Sequence, residues 1–267
     1  MSFEKISYEL QDDIAIIRFD DPSTLNACGV DTAQELLYAF EVAADSARCT
    51  IMTGSGRGFC SGANLSNVDA GGSNPLSHPD AKPDAGRSLD THYNPLMRAI
   101  RDHPHPFITA VNGPAAGIGC SIGLAGDLVI CGKSAYFLQA FGRIGLVPDG
   151  ASTWLLAKTI GRARAMEMTL LAEKLPAEKA VEWGLANYIV EDDKLMETAI
   201  DYAKRLSAGP TIALAQTRRL IWKAVESSYD EMLMAERFSQ RTACRTHDFP
   251  EGVAAFLEKR PAKFKGE

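Results

Sequence analysis

The stretch Phe107-Ile108-Thr109-Ala110-Val111-Asn112-Gly113-Pro114-Ala115-Ala116-Gly117-Ile118-Gly119-Cys120 decides the fold class of this chain. Residues 107–111 are apolar or β-branched and predict a short buried strand, after which a glycine-rich loop leads into an apolar helix. A further strand is predicted from Asp127 to Cys131. Earlier in the chain, Cys49 to Thr53 predicts a buried strand that enters another glycine-rich loop. The repeated order of strand, glycine loop and helix indicates an α/β body.

Other patterns extend this body in both directions. Ile6 to Leu10 and Ile14 to Phe19 predict a hairpin, and Asp31-Thr32-Ala33-Gln34 predicts a capping box that opens a helix through about Asp45. Residues 66–88 are rich in Gly, Ser, Asn, Pro and Asp, which is typical of a lid or a disordered loop. After Gly150, amphipathic helices are predicted near 161–172, 176–183, 192–207, 211–226 and 228–243.

The composition limits the class of protein. With 267 residues, 46% of them hydrophobic, the chain can form one large domain with an appendage. A net charge of -6 without a block of Lys or Arg argues against a nucleic-acid partner and favours a small molecule or a protein. The N-terminus lacks the apolar core of a signal peptide, and no long apolar run follows, so we expect a soluble cytoplasmic protein. The six scattered cysteines predict buried, reduced thiols, and we expect no metal site.

Asp149 is the first candidate for chemistry. It lies in Ile144-Gly145-Leu146-Val147-Pro148-Asp149-Gly150, inside an uncharged stretch between Arg143 and Lys158. Removing an ionised group from water is costly, so such a residue usually has a shifted pKa or a dedicated hydrogen-bond partner. The alternative is an aspartate that turns a Pro-Asp-Gly corner. The local sequence alone does not separate the two interpretations.

The two glycine-rich loops offer main-chain donors. If a helix begins near Ala63 in the first loop, its first N–H groups have no acceptor within the helix and can bind a developing negative charge. Ile118, at the end of the second loop, offers the same kind of amide. Each loop taken alone is more typical of a tight turn from strand to helix. Two such donors at one oxygen would form an oxyanion hole, worth about 3 kcal/mol per donor in other enzymes.

Two other motifs overlap the second loop. Gly119-Cys120-Ser121-Ile122-Gly123 matches the nucleophile elbow of serine hydrolases, but that motif requires a strand to run directly into the turn, and several loop residues intervene here. The catalytic triad of these hydrolases also needs a histidine after the serine. Only His247 follows Ser121, and it lies in a polar segment near the end of the sequence. Gly117-Ile118-Gly119 resembles the start of a dinucleotide fingerprint, yet position 122 is Ile where the third glycine belongs. We therefore rank both interpretations below the oxyanion hole.

Together these motifs resemble the signatures of the crotonase family, the enoyl-CoA hydratases and isomerases, over essentially the entire chain. They fall in the family's order: Leu25-Asn26-Ala27, Phe59-Cys60-Ser61-Gly62-Ala63-Asn64-Leu65, Ala110-Val111-Asn112-Gly113 through Gly119-Cys120, Ile144 through Asp149, and Glu251-Gly252-Val253 through Arg260. The resemblance implies a spiral of strand-strand-helix turns over residues 1–198 and a helical trimerisation region over 199–267, often in a dimer of trimers. It also implies an acyl-CoA thioester as ligand, with CoA as part of the substrate and no separate cofactor.

The resemblance also implies roles for single residues. The oxyanion donors would be the backbone N–H groups of Ala63 and Ile118. The other matching positions are implied to contact the substrate: Ala27, Ser61, Asn64, Leu65, Gly113, Phe141, Phe256 and Lys259. Phe256 and Lys259 match positions that approach the CoA adenine and phosphate, often from a neighbouring subunit.

The chain departs from the family's hydratases at two positions. Those enzymes use two glutamates, and the matching residues here are Ser121 and Phe141, neither of which can act as a general base. Asp149 resembles the acidic residue of the isomerase branch, and its surroundings are most similar to the ring-opening isomerases of phenylacetate breakdown. We therefore expect an enoyl-CoA isomerase with Asp149 as proton shuttle, acting on an enoyl chain or on an aromatic-derived ring or epoxide. The alternatives are a hydratase, a thioester hydrolase and a noncatalytic acyl-CoA-binding protein.

Overall fold

The computed structural model describes residues 3–64 and 84–267, so Leu65 and most of the predicted loop 66–88 lie outside the described residues. The strands are β1 Ile6–Gln11, β2 Ile14–Phe19, β3 Cys49–Gly54, β4 Phe107–Val111, β5 Pro114–Ala116, β6 Leu128–Gly132, β7 Tyr136–Leu138, β8 Leu175–Pro176 and β9 Tyr188–Val190. The α-helices are α1 Val30–Ser46, α2 Gly86–Ser88, α3 Asn94–Arg101, α4 Ile118–Leu124, α5 Ser152–Leu171, α6 Ala177–Trp183, α7 Leu195–Ser207, α8 Thr211–Ala224, α9 Tyr229–Ala243 and α10 Asp248–Glu258. Shorter helical turns are Pro22–Thr24, Leu89–Tyr93, Ala140–Ile144 and Asp192–Lys194.

The main sheet has the strand order β1-β2-β3-β4-β6-β9. β1 and β2 form the predicted antiparallel hairpin, and each later neighbour in the sheet is parallel to the one before it. The register places Ile16 opposite Ile51 and Met52 opposite Thr109. Because β3 and β4 are parallel neighbours, the glycine-rich loops that follow them leave the sheet at the same edge. The α/β class and the repeated loop order are confirmed.

A smaller sheet has the order β5-β7-β8 and contains part of the second glycine loop. Its strand β5 follows β4 after only Asn112 and Gly113. Cys60, in the first loop, forms an isolated parallel bridge with Ala115 of β5. The two glycine-rich loops are therefore joined by main-chain pairing.

The main sheet is buried on both faces because side chains alternate along each strand. On one face, Ile16, Ile51 and Ile108 pack against Leu195 and Ala199 of α7. On the opposite face, the larger core cluster contains side chains of β2, β3 and β4 together with those of α1, α3 and α4. Burial of each large apolar side chain contributes about 2 kcal/mol to the free energy of folding. This packing fixes the strand ends from which the loops emerge.

The C-terminal helices are attached to the body through Arg218 of α8. Its side chain is 4% exposed and donates to the Asp127 carboxylate immediately before β6, with Nε 2.7 Å from Oδ2. It also donates to the main-chain carbonyls of Ile100 at 2.7 Å and His103 at 3.0 Å. The boundary expected between residues 198 and 199 falls within α7, which packs on the main sheet. The division into a core and an oligomerisation region stays a prediction.

Several local predictions differ from the structure. The capping box is wrong, because α1 begins at Val30 after Gly29 and has no side-chain cap. Asp31 therefore lies inside the first helical turn. No helix begins at Ala63, since residues 61–64 are irregular. At the end of the predicted loop 66–88, residues 86–88 are already helical. α10 was not predicted at all, since Asp248-Phe249-Pro250-Glu251-Gly252 does not show a clear helical pattern.

Within residues 3–64 and 84–267, no helix combines the length and the apolar character needed to cross a bilayer.

Candidate active site

The second glycine loop places the Ile118 amide at the start of a helix. Gly117 precedes α4 with φ 53° and ψ −128°, a conformation that favours glycine. Its carbonyl accepts the N–H of Cys120 at 3.0 Å. In a trans peptide the C=O and the next N–H point in opposite directions, so the Ile118 N–H faces away from the helix. The first N–H of a helix has no acceptor within it. This amide is therefore available to an anion.

The first glycine loop holds the Ala63 amide in a similar way without a helix. The carbonyl of Gly62 accepts the N–H of Cys28 at 2.7 Å, and the Ala63 N–H of the same peptide points in the opposite direction. Among the described residues, none accepts a hydrogen bond from this N–H. The Ala63 N–H is therefore available to a ligand, although no helix begins at this residue, and its role as an oxyanion donor stays a prediction.

The two loops lie against each other at Gly62 and Gly117. A Cβ added to Gly62, whose φ is 106°, would stand 3.1 Å from the Ala116 carbonyl oxygen and 3.8 Å from the Gly117 Cα. The Ala116 N–H also donates to the Cys60 carbonyl at 2.9 Å. The peptide groups that carry the Ala63 and Ile118 amides are therefore neighbours.

Two asparagine side chains hold the first loop in place. The buried Asn26 donates from Nδ2 to the carbonyls of Ser55 at 2.9 Å and Gly58 at 2.7 Å. Asn112 donates from Nδ2 to the carbonyls of Gly54 at 2.9 Å and Gly56 at 3.0 Å. Both asparagines lie in the motifs that resemble the crotonase family, but the motifs alone indicate no role for them. For Asn112, the signal was an amide side chain directly before Gly113 in the second glycine loop, because the main-chain carbonyls of such loops need donors. Asn26 carries no such signal.

Asp149 lies in the turn before α5. Its carboxyl is half-buried, and the oxygen Oδ1 is buried with no hydrogen-bond partner among the described residues. Burial raises the pKa of Asp149 to about 6, because the charged form loses hydration. A Cβ added to the next residue, Gly150, would stand 2.5 Å from the Ile118 Cδ1. The predicted acid is therefore in the same region as the Ile118 amide.

Two neighbouring groups interact electrostatically with Asp149. They are the Cys28 thiol and the Tyr93 hydroxyl, and burial raises the pKa of each well above its usual value. Both groups are therefore neutral near pH 6. The Tyr93 hydroxyl donates to the Cys28 carbonyl at 2.8 Å. The sequence did not indicate Tyr93 as a site residue. It follows residues 66–88, which are rich in Gly, Ser and Pro and show no pattern that would place a nearby side chain at the site.

The positions predicted to contact the substrate are partly brought together. Phe141 is 8% exposed, and its Cζ stands 3.8 Å from a Cβ added to Gly117. Ala27 and Ser61 both bond to Thr24, the first from its N–H to Oγ1 at 3.1 Å and the second from Oγ to the carbonyl at 2.9 Å. Gly113 is buried against the Arg57 carbonyl oxygen. These residues line the two loops.

The remaining positions predicted to contact the substrate lie at the end of the described first loop, outside the described residues, or far along the chain in and after α10. Asn64 is half-buried at the end of the described part of the first loop, and Leu65 lies outside the described residues. Phe256 is 82% exposed near the end of α10, and Lys259 is exposed just beyond it. The single chain does not bury either of them against the glycine loops. Their approach to a ligand of a neighbouring subunit stays a prediction.

Ser121 is not arranged as a nucleophile. It lies within α4 rather than in a turn after a strand, is fully buried, and its Oγ donates to the main-chain carbonyl of Asp149 at 3.0 Å. The nucleophile-elbow interpretation does not fit this geometry. Within the described part of the chain, no group of three His, Cys, Asp or Glu side chains could hold a metal ion.

Comparison with known proteins agrees with the fold and with the motifs. The family model described as enoyl-CoA hydratase/isomerase matches residues 9–267. A 1,2-epoxyphenylacetyl-CoA isomerase of Escherichia coli (strain K12) is 44% identical over 225 residues, which are 84% of this chain and 83% of that protein. A probable enoyl-CoA hydratase of Rhodobacter capsulatus is 40% identical over 266 residues, covering 100% of both chains.

Solved structures resemble the whole chain as well. A putative enoyl-CoA hydratase from Streptomyces coelicolor A3(2) superimposes with a TM-score of 0.91 and 29% sequence identity, covering 100% of this chain and 96% of the other. The predicted crotonase fold is therefore confirmed.

Proposed function

Because this chain belongs to the enoyl-CoA hydratase/isomerase family, an enzyme family acting on CoA thioesters, we propose that it moves a double bond within an enoyl-CoA by a 1,3-proton transfer. The observation that carries this proposal is the buried Oδ1 of Asp149, which has no hydrogen-bond partner among the described residues and belongs to a turn that packs against Ile118. A carboxylate beside main-chain donors is the minimum needed to make and quench an enolate.

The two amides would stabilise the enolate. When a proton leaves the carbon next to the double bond, the electron pair moves onto the thioester oxygen. The N–H groups of Ala63 and Ile118 would donate to that oxygen as its negative charge grows. Each donor of this kind lowers the barrier by about 3 kcal/mol in other enzymes. The neighbouring positions of Gly62 and Gly117 support a shared oxygen.

Asp149 would carry the proton. In its ionised form it removes the proton from one carbon, and in its protonated form it returns that proton to the carbon two positions away. The double bond moves by one position, and no atom is gained or lost. Each unit by which the pKa of the base rises narrows the mismatch with the carbon acid by about 1.4 kcal/mol. Burial in the described site, which raises the pKa of Asp149 to about 6, therefore helps proton removal.

The isomerase is favoured over the hydratase by the residues around the two loops. Ser121 and Phe141 occupy the positions that match the hydratase glutamates. The Ser121 hydroxyl is engaged with a carbonyl, and Phe141 cannot accept a proton. The relative named 1,2-epoxyphenylacetyl-CoA isomerase supports a substrate with an aromatic-derived ring or epoxide. The relative named probable enoyl-CoA hydratase keeps hydration as the second candidate.

We propose further that CoA enters only as part of the substrate, without a separate cofactor, and that the chain forms a homotrimer or a dimer of trimers. Large apolar side chains on the terminal helices support the assembly, since Phe238 of α9 is 53% exposed and Leu257 of α10 is 73% exposed. Phe256 and Lys259 would then reach the CoA of a neighbouring subunit.

The experiment is isomerisation of a 3-enoyl-CoA, followed by the absorbance of the conjugated 2-enoyl thioester. Wild-type protein should produce this absorbance. Asp149→Asn should lower kcat by about a hundredfold or more, because general acid–base groups contribute at least this much. The matched control is Asp193→Asn, at an exposed aspartate before α7, which should leave kcat unchanged.

Three outcomes oppose the proposal. Equal isomerisation by Asp149→Asn and wild type would remove Asp149 from the mechanism. Rapid loss of the conjugated absorbance of crotonyl-CoA would identify a hydratase, and release of free CoA to a thiol reagent would identify a thioester hydrolase.

A further inference from the structure

Ser121 connects the second glycine loop to the turn that carries Asp149. It lies on α4, three residues after Ile118, and is fully buried. Its Oγ stands 3.0 Å from the Asp149 carbonyl oxygen and 3.5 Å from the Gly117 carbonyl oxygen. A hydroxyl has one proton to donate, and the shorter contact is the better hydrogen bond. The Ser121 proton is therefore committed to the main chain of Asp149.

The turn after Asp149 needs such support. Gly150 has φ 58° and Ala151 has φ 59°, so two consecutive residues are left-handed. For a residue with a Cβ, such as Ala151, this conformation costs about 1–2 kcal/mol. Strained turns persist when the surrounding contacts hold them.

The hydrogen bonds at the Asp149 carbonyl differ in what they join. Ser152 donates to it from its N–H at 3.0 Å and from Oγ at 2.8 Å, and these bonds lie within the turn. The bond from Ser121 joins the turn to α4. The contact is tight, since a Cβ added to Gly150 would stand 2.8 Å from the Ser121 Cβ. The turn thus rests on the same helix whose first N–H is the Ile118 amide.

We propose that Ser121 is a positioning residue that sets the place of Asp149 relative to the Ile118 amide. A thioester oxygen held by that amide fixes where the reacting carbons lie, and Asp149 must reach two of them in turn. The Ser121 hydroxyl holds the backbone from which the carboxyl extends. This inference rests on the proposed function, and it assigns to Ser121 neither proton transfer nor nucleophilic attack.

The test compares Ser121→Ala with Ser207→Ala. Ser207 is a matched control, because it is also buried in a helix and its Oγ donates to a main-chain carbonyl, that of Lys204, at 3.3 Å. Ser121→Ala should lower kcat for a 3-enoyl-CoA by about tenfold with little change in KM, since small displacements of reacting groups are costly. Ser207→Ala should keep the wild-type kcat.

A second readout does not depend on turnover. The carboxyl of Asp149 can be followed by NMR of protein labelled with ¹³C-aspartate, and its signal is assigned by its absence in Asp149→Asn. Cys28 and Tyr93, the titratable groups that interact with this carboxyl, stay neutral in the relevant pH range. Wild-type protein should titrate near pH 6. In Ser121→Ala the midpoint should fall by about half a unit or more, because a displaced carboxyl gains hydration.

The variant Ser121→Cys distinguishes loss of the hydrogen bond from a general folding defect. The thiol is similar in shape but a weaker donor, so kcat and the midpoint should lie between those of wild type and Ser121→Ala. Wild-type kcat and midpoint in both Ser121 variants would overturn the proposal, even if the melting temperature fell. Equal effects in Ser207→Ala would also overturn it. Failure of the proposed function is distinct: Asp149→Asn would then be active, whereas the NMR midpoint would still report the link between Ser121 and Asp149.

Discussion

The two glycine loops and the Asp149 turn lie against one another, yet their polar groups are satisfied to different degrees. In the first loop, the carbonyls of Ser55 and Gly58 accept from the Asn26 side chain. In the turn, the Asp149 carbonyl accepts three donors, but the buried Oδ1 has no partner in the described part of the chain. The main-chain carbonyls named here are therefore hydrogen-bonded, whereas the Asp149 Oδ1 has no partner among the described residues. Loop substitutions should therefore lower stability and activity together, whereas substitution of Asp149 should move them in opposite directions.

The largest effect is expected from Gly119→Ala. The added Cβ would stand 2.5 Å from the Cys60 carbonyl oxygen and 2.6 Å from the Cys60 Cβ, so the two loops would have to separate. We expect a loss of about 3 kcal/mol in the free energy of unfolding and a fall in kcat of about a hundredfold. Chemical denaturation measures the free energy of unfolding, and the isomerisation assay measures kcat. Gly142→Ala is the control, since the nearest atom to its Cβ is the Thr169 carbonyl oxygen at 3.9 Å.

Asn26→Ala should have the next largest effect. The substitution removes the Asn26 donor from the carbonyls of Ser55 and Gly58, of which Gly58 keeps only a longer bond of 3.3 Å from Asn112, and it puts alanine at a φ of 61°. We expect a loss of about 2 kcal/mol in the free energy of unfolding, with lower kcat as the first loop loosens. A variant with wild-type stability and reduced kcat would contradict the idea that the asparagine acts by holding the loop.

Asp149→Asn should stabilise the protein while it inactivates the enzyme. The folded-state pKa is raised to about 6 from 3.8, so the ionised carboxyl destabilises the fold as the pH rises through the folded value. A pKa difference of about two units between the folded and unfolded states corresponds to a loss of at most about 3 kcal/mol in the free energy of unfolding. Because the group is only half-buried, its partial hydration reduces this loss to about 1–2 kcal/mol. The gain in stability of Asp149→Asn over wild type should be absent below about pH 4 and complete above about pH 7. Melting temperatures of both proteins across this range provide the measurement, and a pH-independent difference would show that charge is not the cause.

Tyr93→Phe should give the smallest change. It removes one neutral hydrogen bond to the Cys28 carbonyl and keeps the ring, so about 1 kcal/mol of stability should be lost. The dependence of kcat on pH should stay as in wild type, because the Tyr93 hydroxyl is neutral throughout. A shifted pH profile would instead place Tyr93 in the proton transfer.

The sequence predicted the parts of the fold that depend on local patterns. The hairpin at Ile6 and Ile14 and the buried strands at Cys49 and Phe107 follow from β-branched runs between turn residues, and the structure has all four strands. The predicted N-cap of α1, Asp31, lies two residues after the observed one, because Gly29 precedes the helix without a side-chain cap. Element boundaries depend on such details of backbone geometry.

The candidate site was predictable only in part for the same reason. Asp149 was recognisable as a charge in an apolar run, and Ile118 as the first residue after a glycine loop. The bond from Ser121 to Asp149 joins residues 28 positions apart, and that from Asn26 to Gly58 joins residues 32 apart. No periodicity or spacing in the chain marks such pairs. They follow from the packing of α4 and of the loops after the sheet has formed.

The attachment of Arg218 has a consequence for how the molecule comes apart. Its guanidinium connects α8 to the Asp127 carboxylate, to the Ile100 carbonyl within α3 and to the His103 carbonyl just after it, and Arg218 itself is buried. Pulling α8 away would leave the Asp127 carboxylate and two main-chain carbonyls without the Arg218 donor, and each polar group that stays buried without a partner costs about 1–3 kcal/mol. Peeling of this helix alone is therefore disfavoured, and calorimetry should record α8 and the sheet melting in one cooperative transition.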